Sequence, residues 1–202
     1  MDNYQISRDR AQAYFLNFDQ QKIIDQWNLE HDADYLLVSF LGKPYRVFRK
    51  TGIIVRCWDG TQADFSEVLS IFDLLCHEGE YKVISGSFAP VNSLKGRPRA
   101  AGVGTGFHSE TATRFDRNPE AFRRACIALG GSPVNMGDIG YRFPLFGELS
   151  IILKFYHADE DFPASLTLLW DSNTLDFIFY ETVFYIAGFL LKAITDEMKK
   201  QH

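Results

Sequence analysis

The chain has 202 residues, 46% hydrophobic and 23% charged, with 26 acidic against 21 basic side chains for a formal charge of −5. These proportions exclude a wholly disordered polymer, a collagen-like repeat and a small disulfide scaffold. The acidic balance, with a pI near 5.5, argues against nucleic acid as a partner. Aromatic residues make 15% of the chain, so the expected core is aromatic-rich and large enough for one domain over residues 1–202.

In chain order, Ser7 is placed to cap a first helix whose apolar positions are Ala11, Tyr14, Phe15 and Phe18. Asp19 caps a second, short helix carrying Ile23, Ile24 and Trp27. Residues 35–58 read as three strands with breaks at Gly42-Lys43-Pro44 and Gly52, and such short connections join only antiparallel neighbours. Asp64 with Glu67 forms a capping box ahead of the stripe Phe65, Val68, Leu69, Phe72, Leu75 and Cys76, and Gly79 stops that helix.

Residues 83–88 read as a strand. Residues 89–108 show no periodicity and contain Pro90, Gly96, Pro98, Gly102, Gly104 and Gly106, so they read as a long loop. Asn118-Pro119 opens another helix, with Phe122, Ala125, Cys126 and Leu129 inward and Gly130-Gly131 at its end. Residues 149–156 and 165–170 read as a hairpin joined across His157 to Ala164. The last helix, about residues 181–199, is apolar on nearly every side of its front half and must be covered by this chain or by a partner subunit. The expected fold class is α+β, an antiparallel sheet of N-terminal meander plus C-terminal hairpin packed against several helices.

The first ten residues lack the apolar core of a signal peptide, and the longest apolar stretch, residues 182–191, falls short of the roughly 20 residues a spanning helix needs. The expectation is a cytoplasmic protein with no membrane partner. Cys57, Cys76 and Cys126 are widely spaced, without the C-x-x-C spacing of a metal or redox site, and read as inert reduced thiols.

Two segments invite chemistry. Asp159, Glu160 and Asp161 beside His157 bring carboxylates together, as a cation site or an acid–base pair requires. The simpler account is a solvated turn, because neighbours on an extended chain point to opposite faces. Gly102-Val103-Gly104-Thr105-Gly106, with Lys95, Arg97, Arg99 and His108 near it, can present backbone N–H groups to an anion, and Arg99 and Arg114 are the natural anion contacts. Its spacing is not that of a Walker loop, and a surface loop is the simpler account. Cys76-His77 lies about 100° around one helix and does not share a face. The aromatic crowd Phe177, Phe179, Tyr180, Phe184, Tyr185 and Phe189 reads first as core, then as the seam of a homodimer through the C-terminal helix, and third as a cofactor pocket. No G-x-S-x-G, H-E-x-x-H or Walker pattern occurs.

Several stretches together resemble the domain-of-unknown-function family numbered 3786. They are Leu41-Gly42-Lys43-Pro44-Tyr45, the helix at Val68 to Leu75, Ser87-Phe88, Ala128-Leu129-Gly130-Gly131, Asp159-Glu160-Asp161-Phe162-Pro163-Ala164-Ser165 and Trp170-Asp171. The likeness runs from about residue 8 to 195. It implies one intact domain of anaerobic bacteria or archaea and carries no established activity. Some relatives have a cysteine-rich iron–sulfur segment in settings of redox or corrinoid metabolism, but three scattered cysteines cannot supply a four-thiolate cluster. The family's C-terminal helix often begins Glu-Asp, where this chain has Glu181-Thr182.

The leading expectation is therefore a non-catalytic accessory module that binds a small molecule or a protein. The rivals are a small-molecule enzyme with its site between the 88–108 loop and the 159–161 turn and, as only the resemblance implies, an accessory protein of redox or corrinoid metabolism. Phe88, Arg99, His108, Arg114, Asp159, Glu160 and Asp161 are the candidate ligand contacts. No catalytic residue, metal ligand or cofactor is assigned.

Overall fold

Helix α1 (Asn3–Asn17) and helix α2 (Gln20–Trp27) open the computed structural model, which describes residues 3–79, 83–98 and 108–200. Ser7 lies inside α1 and does not cap it. The helix begins a turn earlier, where the Tyr4 ring packs edge-on against Phe65 with centroids 4.9 Å apart. Asp19 does cap α2, accepting hydrogen bonds from the Gln21 and Lys22 backbone N–H groups.

The expected meander forms as β1 (Tyr35–Phe40), β2 (Lys43–Phe48) and β3 (Ile54–Arg56), all antiparallel. Leu41 and Gly42 both have positive φ, 48° and 73°, the signature of a type I′ hairpin turn. Such a φ is unusual for leucine. Its side chain is buried, and its N–H donates to the Leu145 carbonyl at 2.9 Å, so tertiary contacts hold the turn.

Helix α3 (Phe65–Cys76) has its full capping box at Asp64 and Glu67. Glu67 is completely buried. It accepts the Tyr45 hydroxyl at 2.7 Å and a forked pair of hydrogen bonds from Arg56, which ties α3 to the meander. Burial, and then the bond to Glu67, pushes the Tyr45 phenol up from its ordinary range. Glu67 is a strut of the fold, because its oxygens are committed to Arg56, Tyr45 and the Asp64 N–H.

The second sheet has the order β4 (Phe88–Pro90), β8 (Ser165–Asp171), β7 (Leu149–Tyr156), β6 (Ile139–Phe146) and β5 (Ser132–Pro133), all antiparallel. The α+β class holds, but the meander and the C-terminal hairpin occupy separate sheets. Residues 83–87 are not strand. The carboxylate of fully buried Asp171 accepts the Ser85 and Gly86 N–H groups, and Gly86 has φ +71°, so this backbone turns around a side chain instead of joining a ladder. Strand β6 carries no clean alternation because Gly140 and Pro144 interrupt it, and its register shifts between Pro144 and Phe146.

Helix α4 (Ser109–Asp116) follows the glycine-rich segment and packs on β8. Helix α5 (Pro119–Ala128) starts at the Asn118 cap as its sequence requires. Helix α6 (Tyr180–Lys199) packs against α3 and α5, with Val183, Ile186, Leu190, Leu191 and Ile194 buried. Much of its apolar front is thus covered from within the chain, with Phe184, Tyr185 and Phe189 half-buried. Buried side chains from both sheets and all six helices join one hydrophobic cluster. No helix among the described residues is long and apolar enough to cross a membrane.

Candidate functional site

A cavity of about 810 Å³ lies where β8, α6, the start of α4 and the 157–164 turn meet. That volume is within the range of small-molecule pockets. Its apolar wall comes from Leu168 and Trp170 on β8 and from Val183, Phe184 and Ala187 along one side of α6. The rim is polar, with His108, Asp138, His157 and Asp159.

The rim is built from three separate pieces of chain. Asp116, the last residue of α4, holds His157 with Oδ1 2.6 Å from Nδ1, while its Oδ2 takes the Ala158 N–H at 3.3 Å. A carboxylate can only accept, so Nδ1 carries a proton, and in the neutral ring Nε2 keeps its lone pair. The Phe155 ring meets the imidazole edge-on, with centroids 5.2 Å apart. Asp138 Oδ2 accepts the His157 backbone N–H at 2.9 Å. Gly137, φ +68°, makes that approach possible: a Cβ there would stand 2.5 Å from the Phe155 carbonyl oxygen. Burial holds the His108 pKa below its ordinary value, so this ring is neutral at pH 7.

The cavity opens between the same two segments that the sequence singled out, but it uses only some of their residues. His108 and Asp159 line it. Asp159 is also the pivot of its turn, its Oδ1 accepting the Asp161 and Phe162 N–H groups at 2.9 and 2.7 Å. Glu160 and Asp161 are exposed and do not line the cavity. Phe88 lies on the edge strand under the Arg142 guanidinium, 4.9 Å from its ring centroid. Arg114 is exposed on α4 and is not part of the lining. Arg99 and the glycine-rich run 102–106 lie outside the described residues.

Sequence reasoning missed Asp116 and Asp138 as site residues. Neither has a local signal, since Asp116 meets a histidine 41 positions away. Phe184 does reach a cavity wall, as one reading of the aromatic crowd had it, whereas Phe177 is core and Phe179 is 62% exposed. Among the described residues, no group of three His, Cys, Asp or Glu side chains is arranged to hold a metal ion. Cys76 and Cys126 are buried and Cys57 is exposed, and burial pushes the Cys126 thiol up.

A second cavity, about 680 Å³, lies between α1, α3 and the start of α6, next to Asp73, Cys76 and His77. Its histidine–aspartate pair is already committed. Asp73 Oδ1 pairs with His77 Nδ1 at 3.3 Å, Asp73 Oδ2 takes the Phe179 N–H at 2.8 Å, and the Phe179 ring covers the imidazole.

The family is settled by comparison with known proteins. A family model described as "Domain of unknown function (DUF3786)" matches residues 19–193, most of the chain, and the protein belongs to that family. No curated protein matches it, and no solved structure does.

Proposed function

We propose that this protein is a ligand-binding module that holds a small organic molecule in the cavity between β8 and α6. The supporting observation is the pairing of an apolar wall, Leu168, Trp170, Val183, Phe184 and Ala187, with a histidine at the rim whose tautomer Asp116 fixes. Convergent polar groups over an apolar pocket are what orient a small ligand, and such sites sit where packed elements diverge. The chain folds as one unit in this reading, since both sheets contribute to one core cluster.

Protein-observed NMR with a library of aromatic and alkyl fragments tests it. Binding fragments should shift the Leu168, Val183 and Ala187 resonances and lose that effect in Ala187→Trp, which fills the cavity, once circular dichroism shows the variant folded. Hits that gather at Cys76 and Tyr185 would transfer the function to the second cavity. No hits at either place would end the small-molecule reading.

A further inference from the structure

The charge around the rim goes further and names the class of ligand. We infer that the cavity selects a molecule with an apolar body and a protonated amine at its head. This rests on the cavity being the binding site.

Three carboxylates stand at the rim. Asp138 and Asp159 line the cavity, and Asp116 is bonded to the His157 imidazole that lines it. Each lining carboxylate has spent one oxygen on backbone: Asp138 Oδ2 on the His157 N–H, and Asp159 Oδ1 on the Asp161 and Phe162 N–H groups. The other oxygen of each keeps acceptor capacity. The neutral His157 ring adds a third acceptor, Nε2, because its one N–H is the Nδ1–H donated to Asp116. His108 adds no charge, since burial favours its neutral form.

Against this stands little positive charge. No lysine or arginine among the described residues lines the cavity. Lys154 comes near, its Nζ 5.3 Å from the centroid of the Tyr156 ring, and Arg123 reaches the Asp138 backbone carbonyl at 3.4 Å but is paired with Glu120. Arg114 is exposed and outside the lining. Among the described residues a carboxylate or phosphate head would therefore meet repulsion and no donor fork. An ammonium, with three N–H donors, matches the acceptors that the rim leaves open. Below the head, Trp170, Phe184 and Leu168 take an apolar body the size of one aromatic ring or a short alkyl chain.

Three probes with one body separate the terms: 2-phenylethylamine, 2-phenylethanol and phenylacetate, titrated by NMR against wild type, Asp138→Asn and Ala187→Trp at low salt. The amine should bind about tenfold tighter than phenylacetate, with the alcohol between them, as one ion pair at a partly exposed rim provides. Asp138→Asn should shrink the amine's advantage over the alcohol several-fold and leave the alcohol's Kd in place. Phenylacetate binding as tightly as the amine, with Ala187→Trp still blocking all three, overturns the amine preference and leaves the cavity as the site. Binding of none of the three, or binding untouched by Ala187→Trp, overturns both.

Discussion

Two histidine–aspartate pairs, each beside a cavity, have opposite characters. Asp73 and His77 sit four residues apart at the end of α3, their side chains 7% and 11% exposed. Asp116 and His157 come together from elements 41 residues apart, with side chains 24% and 38% exposed. In the inner pair both side chains have a structural use. Asp73 joins α3 to the first residues of α6 through the Phe179 N–H, and His77 caps the helix and is covered by the Phe179 ring. In the outer pair the aspartate is equally committed, to His157 and the Ala158 N–H, but the imidazole is more open and lines the rim of the cavity. The same two residue types thus brace the fold in one place and present an acceptor to a cavity in the other. Burial separates the two roles, and residue type does not.

Variants can break this contrast. The largest effect is expected at Gly79, just beyond the inner pair, where a Cβ would fall on the Asp176 carbonyl oxygen. Gly79→Ala must push backbone against backbone, and urea unfolding should show a loss of about 3 kcal/mol, near the top of the range for overpacking. Unchanged stability would mean that the α3 end does not pack as closely as described. Next is Asp73→Ala, which leaves the Phe179 N–H without its carboxylate. A loss of about 2 kcal/mol is expected, with fragment binding in the β8–α6 cavity unaffected. Asp116→Ala should reverse that pattern. The pair is partly exposed, so the stability loss stays within about 1 kcal/mol, while binding at the rim weakens because His157 is free to change tautomer.

The smallest effect is a pH dependence at His108. Its folded pKa lies below the ordinary 6.5, so the unfolded chain takes up a proton first as pH falls. The stabilising contribution of the buried neutral ring is whole above pH 6.5 and is lost as pH drops through the folded value. Urea unfolding of wild type and His108→Gln between pH 7.5 and 5 should give a shallower decline in the variant. Parallel curves would show that His108 is not buried as a neutral ring.

The contrast also marks what the sequence could reveal. The capping box at Asp64 and Glu67, the Asn118-Pro119 start of α5 and the 149–170 hairpin were legible because each is written within a few neighbouring residues. Strand β6 was not, because Gly140 and Pro144 break its alternation and its position comes from pairing with β7. The same holds for residues 83–87, whose path is set by Asp171 more than eighty positions away. At the candidate site, the sequence pointed to two segments that border the cavity and to His108 and Asp159, which line it, but it gave Glu160 and Asp161 equal weight with Asp159. Adjacent positions cannot all face one cavity. Asp116 and Asp138 reach the rim only through tertiary structure, so nothing in their neighbourhood announces them.

The most direct test of the account is the tautomer of His157, read from the imidazole nitrogen resonances in long-range ¹H–¹⁵N spectra at pH 8. The account predicts a proton on Nδ1 and a bare Nε2, which moves when 2-phenylethylamine is added and loses its definition in Asp116→Asn. A proton on Nε2, indifferent to both the amine and the Asp116 substitution, would contradict it.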